Sequence, residues 1–430
     1  MIDLAAPLVI LGQVDASKLL TMFWLVIILD VPRYTMSTLA VFIRWAFLPK
    51  RELPPHARAY LDGLKLSVVI AGHNEAHVIR RCIRSIREQT RPVDEIIVVD
   101  DGSTDGMREA INELRREGLI TMAISNQVRC GKPAAGNQGV RVSTGDIVII
   151  VDADCSLDRD AIEKLIEPFG NPRTGATCGP IAVRNYDETA VTRWETIEYL
   201  QSICLGKRVL EMLNIVVCAS GALSAFRRAA LDEVGMMEPR SGEDFELTMR
   251  LRRAGWSIRF AEEAWCFTDV PTTLAGITRQ RRRWDRDTIR TRLRFFRSSF
   301  NPLSGRFSLL ETAEQIEWCA LNLSATIIFP IYFAWAFYVY ENAAVALLIF
   351  VVMIEFVLDL IGFTTALAVT QRFDARLVWK VAPYLLTYSV AYSFYLRFVR
   401  LYAYFEEWVY RKSREDSYVP RRVARQAHAR

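Results

Sequence analysis

Three short runs hold residue types that could do chemistry together. Asp152-Ala153-Asp154 follows the apolar run Ile149-Ile150-Val151. Two acids two residues apart, just past a buried strand, converge on one point. Their hard oxygens suit Mg2+ or Mn2+, and such a cation would bridge a diphosphate and offset charge on a departing nucleotide. A solvated turn at a strand end is the competing account, because the spacing is frequent by chance. Ser241-Gly242-Glu243-Asp244-Phe245 opens a helical pattern that continues through Thr248, Met249 and Leu251. Acids at that place answer the helix dipole and its unpaired N–H groups, so capping is the default. The chemical alternative is a general base, one carboxylate within reach of a hydroxyl whose proton it takes. Arg279-Gln280-Arg281-Arg282-Arg283-Trp284-Asp285-Arg286 is the most unusual run. An indole face can stack on a sugar ring, and a neighbouring arginine can hold a diphosphate. The other account is an amphipathic helix at a lipid interface, with arginines on headgroups and the tryptophan at the boundary.

The elements that would position these runs alternate. Between 64 and 152 the pattern is strand, helix, strand, helix, strand, helix, strand. Short apolar runs at 66–71, 95–99 and 147–151 read as strands, and 75–89 repeats Val78, Cys82, Ile83 and Ile86 at helical spacing. Continuous apolar strands alternating with helices indicate a parallel sheet buried on both faces. Ligands of such sheets bind beyond the strand C-termini. The polar residues sit there: Asn74 and Glu75, Asp100 and Asp101, Asp152 and Asp154. Asp100 and Asp101 could accept hydrogen bonds from a nucleobase or ribose, or simply form a polar turn. Lys132, in Gly131-Lys132-Pro133-Ala134-Ala135-Gly136-Asn137, could reach a phosphate as a point charge or be an ordinary loop lysine. His73 and His77 lack the adjacency of a zinc helix motif, and no P-loop spacing occurs.

Charge and hydropathy are segregated along the 430 residues, which are 51% hydrophobic and 24% charged. Residues 61–300 hold most of the charge; 19–48 and 318–403 hold the long apolar runs. This divides the chain into an N-terminal transmembrane segment (1–52), a cytosolic domain (61–300), interfacial and transmembrane helices (301–405) and a basic tail (406–430). The runs 19–47, 319–340 and 343–369 are long enough to cross a bilayer, the first interrupted by Asp30, Pro32 and Arg33. Residues 377–401 are more polar and aromatic and either span or lie in the interface. Lys50 and Arg51 place the central domain in the cytoplasm. A third C-terminal span would then put the basic tail outside, which Arg411, Lys412, Arg414, Arg421, Arg422, Arg425 and Arg430 resist. The net charge of +5 is modest, and the basic residues cluster beside apolar runs, which favours anionic lipid over nucleic acid. Eight cysteines without a C-x-x-C pair read as reduced thiols in the cytosol. The N-terminus has no basic region typical of a cleaved signal peptide.

Together these motifs resemble the processive, membrane-embedded members of glycosyltransferase family 2, such as chitin, hyaluronan and cellulose synthases. The resemblance covers about 65–300 by motif and the flanks by architecture. It implies an α/β fold of the GT-A type with an α-helical transmembrane region, and inverting, processive transfer from a UDP-sugar to a growing β-linked glycan. It places the protein in the inner (plasma) membrane as a multi-pass protein with a cytosolic catalytic domain. Implied partners are the UDP-sugar, the glycan acceptor, membrane lipids, and a second copy or an export protein, with no nucleic acid. A non-processive enzyme acting on a lipid acceptor is the alternative. Residue by residue, Asp244 matches the family's base. Glu75, Asp100, Asp101, Lys132, Asp152 and Arg283 fall on the donor side. Cys218, Ser220, Gln280 and Trp284 fall on the acceptor side. Asp152 and Asp154 match the metal site for Mg2+ or Mn2+. Two departures stand out: Gly242 replaces the usual Thr or Ser before the acidic pair, and Ala71 replaces a common Pro.

Overall fold

The computed structural model describes residues 24, 31–48, 53–301, 303, 309–340, 343–370, 375–415, 419–420 and 422–423. Its strands are β1 (Leu66–Gly72), β2 (Glu95–Asp100), β3 (Met122–Ser125), β4 (Ile147–Val151), β5 (Ser156–Leu157), β6 (Thr174–Cys178), β7 (Ile181–Val183), β8 (Leu223–Arg227), β9 (Ser257–Phe260) and β10 (Cys266–Thr268). Seven form one sheet in the order β3-β2-β1-β4-β8-β6-β9, and β5-β10-β7 form a smaller one. β1 to β4 are mutually parallel where they pair, and helices Ala76–Arg87, Met107–Arg116 and Lys132–Val142 cross between them. This is the expected alternation, and β1, β2 and β4 are buried nearly throughout.

Both faces of the sheet are covered. On one, Ile79, Cys82, Ile83, Ile86, Ile111 and Leu114 pack over Val68, Ile70 and Ile149. On the other, Val69, Val148 and Ile150 meet Val140, Phe226, Leu247 and Leu251. Helix Lys132–Val142 crosses β1 so closely that a Cβ at Gly139 would run into Val69. β8 runs antiparallel to both β4 and β6. Because Val151 pairs with Leu223, the start of β8 lies at the same sheet edge as the end of β4. That reversal carries the loop 217–221 to the acids after β4.

Beyond the sheet domain, Leu309–Val339 and Leu347–Thr370 are long and apolar enough to cross a membrane. Helix Ser393–Phe405 instead packs along helix Leu274–Arg290. Arg400 faces Asp285 at 3.4 Å, Arg282 pairs with Glu406 at 2.5 Å, and Trp194 stacks on Tyr392 with ring centroids 5.2 Å apart. Much of 377–401 thus packs on the domain and on helix Ala343–Thr370. Val419 is buried on that same domain. The first part of the expected N-terminal span, with Asp30, and also Lys50, Arg51, Arg421, Arg425 and Arg430 lie outside the described residues; its second part forms helix Val31–Phe47.

Candidate active site

The C-terminal edge of the parallel strands is laced together by side chains from successive loops. Asn74, in the left-handed region at φ 62, accepts from the Thr104 amide at 2.9 Å and donates its own amide to Ser103 Oγ at 2.9 Å. Asp105 accepts from the Ala76 amide, also at 2.9 Å. The loops after β1 and β2 are thus one unit, with Glu75 at its rim. Asp100 is fully buried and accepts from the Ser103 amide at 2.9 Å. Asp101 is buried too, and both its oxygens are engaged: Oδ1 by the Cys130 amide at 2.6 Å, Oδ2 by the Gly131 amide at 2.7 Å. These two acids face inward, holding the turn after β2 and the loop before Lys132.

Lys132 is the first residue of its helix and forms an ion pair with Asp152. Gly221 sits against that pair: a Cβ there would lie 2.9 Å from Lys132 Nζ and 3.7 Å from Asp152 Oδ1. The Gly221 amide donates to Asp244 Oδ2 at 3.2 Å, and Asp244 Oδ1 accepts from the Phe245 amide at 2.7 Å. Lys132, Gly221, Glu243 and Asp244 share the lining of one pocket. Cys218 lies beside Asp244; burial, then that carboxylate, push its thiol well above the usual thiol range. Ser220 is held by Lys207, whose Nζ also lies 3.9 Å from Cys178 Sγ.

Carboxylates crowd the other side of Asp152. Burial first, then Asp154, Asp152 and Asp105, push Glu75 up to about 7, with Lys132 opposing. Burial and Asp152 likewise raise Asp154, against Lys132 and hydrogen bonds from Cys155 and Thr268. Arg184 steadies the turn, donating to the Asp154 carbonyl at 3.3 Å and to Asp269 at 2.7 Å. Among the described residues, no group of three or more His, Cys, Asp or Glu is arranged to hold a metal ion. Asp152 and Asp154 offer a two-residue site at most. His73 is turned toward the Asp101 carbonyl at 3.0 Å.

The departure at Gly242 has a geometric reason. It adopts φ 73, ψ 30, and a Cβ there would come within 2.8 Å of Asp287 Cβ. A Thr or Ser would be strained on both counts. Ser241 donates to Asp287 Oδ2 at 2.5 Å, Arg290 pairs with Asp287 at 3.0 Å, and Arg290 also binds the Ser241 carbonyl. Helix Glu243–Arg253 is thereby pinned to helix Leu274–Arg290, which carries Gln280, Arg283 and Trp284. Trp284 packs against Ile181, Val183, Tyr199 and Val270. The Arg281 guanidinium covers one ring face, 4.8 Å from its centroid, and is held by both oxygens of buried Glu195 at 3.0 Å. Gln280 Oε1 is buried without a hydrogen-bond partner.

The sheet edge thus gathers Glu75, Lys132, Asp152, Asp154, Cys218 and Asp244, while Gln280 and Trp284 approach on the helix tied to it. Asp100 and Asp101 stand one layer back. Lys207, Arg184, Thr268, Arg281 and Glu195 were not visible as site residues, because no local motif marks contacts made across so much sequence.

A family profile described as "Glycosyl transferase family 2" matches residues 67–235. These residues are a glycosyl transferase family 2 domain. A poly-β-1,6-N-acetyl-D-glucosamine synthase of Staphylococcus epidermidis is 27% identical over 323 residues, covering 72% of this chain and 76% of its own. A Staphylococcus aureus (strain COL) protein of the same name is 31% identical over 241 residues, 56% of this chain and 58% of its own. A mannosyltransferase from Pyrobaculum calidifontis, solved with GDP-Man and Mn2+, shares the fold with a TM-score of 0.58 at 18% identity, covering 90% of this chain and 99% of its own. The protein is a glycosyltransferase, and its sheet domain with appended apolar helices is the GT-A-type architecture that the motifs implied.

One consequence of this site is a pH dependence of stability in the glycosyltransferase. Burial pushes Glu243 up to about 7, with Lys132 opposing and Asp244 and Asp152 adding. A raised folded-state value stabilises the fold below the unfolded value, and that stability is lost as pH rises through 7. Above that, the ionised buried side chain costs on the order of 3 kcal/mol. Glu243→Gln removes the dependence. Its unfolding midpoint in detergent with EDTA should exceed wild type at pH 8 and match it near pH 4.5. A constant difference across that range would show an ordinary carboxyl.

Proposed function

We propose that the protein is an inverting, processive synthase, transferring a sugar from a UDP-sugar to the end of a growing β-linked glycan at the cytosolic face of the plasma membrane and helping pass the product across. The observation that supports this best is the meeting at Gly221: the Lys132–Asp152 pair and Asp244 both touch it. A cation for a diphosphate and a base for a hydroxyl thus stand around one small residue. The staphylococcal relatives, named for a β-1,6-linked polymer, support a β-linked glycan as product class.

In a single displacement, the acceptor oxygen attacks the anomeric carbon as the bond from that carbon to the diphosphate breaks. The bonding pair leaves with UDP, and Asp244 takes the hydroxyl proton. Lys132 and Arg283 balance charge on the departing diphosphate. Asp152 and Asp154 would hold Mg2+ or Mn2+. The donor set fits: carboxyls crowded enough to raise Glu75 and Asp154 are relieved by a divalent cation. When bound, that cation supplies further positive charge to the leaving group. Asp101 serves the donor through the loop it holds, with Asp100 behind it. Cys218, Ser220, Gln280 and Trp284 face the acceptor.

Purified protein with a panel of UDP-sugars should release UDP from one of them in the presence of Mn2+ or Mg2+, and EDTA should stop the release reversibly. Transfer that survives full chelation would remove the metal from this reading. Asp244→Asn keeps shape and helix position but cannot take the proton. Its turnover should fall by roughly 10²-fold or more with UDP binding retained; near-normal turnover would move the base elsewhere.

Processivity is tested at Trp284. Trp284 is half-buried, with Arg281 on one face, and this reading sets the terminal sugar against the part that stays exposed. Losing a stacking platform should cost on the order of 1–3 kcal/mol of acceptor binding. Trp284→Ala should therefore shorten the product ladder more than it slows UDP release. A full-length ladder from the variant would discard the clamp. A single-sugar lipid product from wild type would select the non-processive alternative.

A further inference from the structure

The tail beyond the last long helix returns to the catalytic domain. Residues Lys412–Glu415 turn against helix Leu274–Arg290, with the Ser413 amide donating to Glu407 at 2.9 Å. Further on, Val419 is only 3% exposed. A Cβ built on Gly131 would lie 3.3 Å from Val419 Cα, Val419 Cγ1 and Pro420 Cδ. Arg422 Nη2 donates to the Arg129 carbonyl at 2.8 Å, and the Val423 amide donates to the Pro420 carbonyl at 2.9 Å, closing a turn. The segment 129–131 is thus held twice: by Asp101 on its inner side and by the tail on its outer side. Gly131 adopts φ +92, and the tail leaves no slack for a side chain there. The next residue is Lys132.

We propose that Val419, Pro420 and Arg422 form a strap that sets the loop before Lys132 for a nucleoside diphosphate, making the C-terminal tail part of the donor site. This rests on the donor reading given above. Helix Lys132–Val142 is anchored by its packing on β1, but its first residue takes its position from the loop ahead of it. That loop has glycine at 131 and sits over another, Gly102, whose Cβ would meet the Arg129 amide nitrogen at 2.7 Å. Without the strap, the loop samples more conformations, and apparent affinity falls by the fraction of time spent in the competent one. The groups that act on the sugar and the hydroxyl are untouched, so saturating donor should restore the rate.

The test uses full-length protein in detergent with Mn2+, and UDP as the calorimetric probe. Val419→Asp should weaken UDP binding about tenfold or more, Arg422→Glu should weaken it several-fold, and Val419→Ile should behave as wild type. Donor KM should rise by the same factors while kcat at saturation stays within about twofold. Arg422 is exposed, so its variant folds even where Val419→Asp does not. If wild type binds UDP and Arg422→Glu keeps both affinity and KM, the tail is mere packing and the strap is wrong. A fall in kcat at unchanged KM would also overturn it. If wild type itself fails to bind UDP, the donor reading falls first, and the strap with it.

Discussion

A buried carboxylate must find a cation, and four of them, from distant parts of the chain, find theirs in the stretch from 281 to 294. Arg281 takes Glu195 from within the sheet domain. Arg292 takes Glu314 at 2.7 Å, at the start of the first long apolar helix. Arg282 and Arg294 take Glu406 and Glu407, past the end of the last one. Stripping water from such ions is expensive, and leaving one unpaired costs roughly 3–5 kcal/mol. The pairs therefore specify one docking arrangement of domain and apolar helices more than they stabilise it. Helix Leu274–Arg290, with the turn 291–295 that continues it, is the common member of all of them. Its position relative to the sheet follows from this network, and the Ser241–Asp287–Arg290 contacts pass that position to Asp244.

The same network shows where sequence reading stopped. Strands β1, β2 and β4 were legible because each is a continuous apolar run flanked by polar turns, and the acids at their ends follow from the parallel arrangement. The order of the acidic and Gln-x-x-Arg-Trp runs brought the family into view. The arginine run itself was ambiguous. Lipid headgroups and a diphosphate both fit its composition, and the structure gives Arg281, Arg282 and Arg290 to carboxylates of the protein instead. Glu195 and Glu406 could not be picked out as partners, because ion pairs across 86 and 124 residues leave no periodic trace. Asp100 and Asp101 illustrate the converse. Their place at a strand end was readable, but not that Asp101 points back to hold Cys130 and Gly131, since that depends on where the loop folds.

Glycines mark the places where the fold tolerates least. Gly242 is left-handed and abuts Asp287; Gly221 leaves room for Lys132 beside Asp152; Gly131 lies beneath the tail. A Cβ at any of them would push apart two elements that carry site residues. Only the first could be noticed from sequence, as a departure from the family pattern. Its reason required the neighbouring helix.

The proposed direct displacement at an anomeric carbon makes a demand that ties these features together. The attacking oxygen, the carbon and the departing diphosphate must stay in line, and misplacement by about 1 Å can cost on the order of 10² in rate. In the proposed reading, donor and acceptor are nonetheless held by different parts of the chain. Lys132 and Asp152 belong to the parallel half of the sheet; Gln280 and Trp284 ride on the helix tied to the apolar segments. Gly221 joins them at the centre through Asp244. The returning tail joins them again at the periphery, leaning first on helix Leu274–Arg290 and then on the donor loop. If the proposed site is right, a chain whose end rests on both sides of it keeps them in register while the product moves between them.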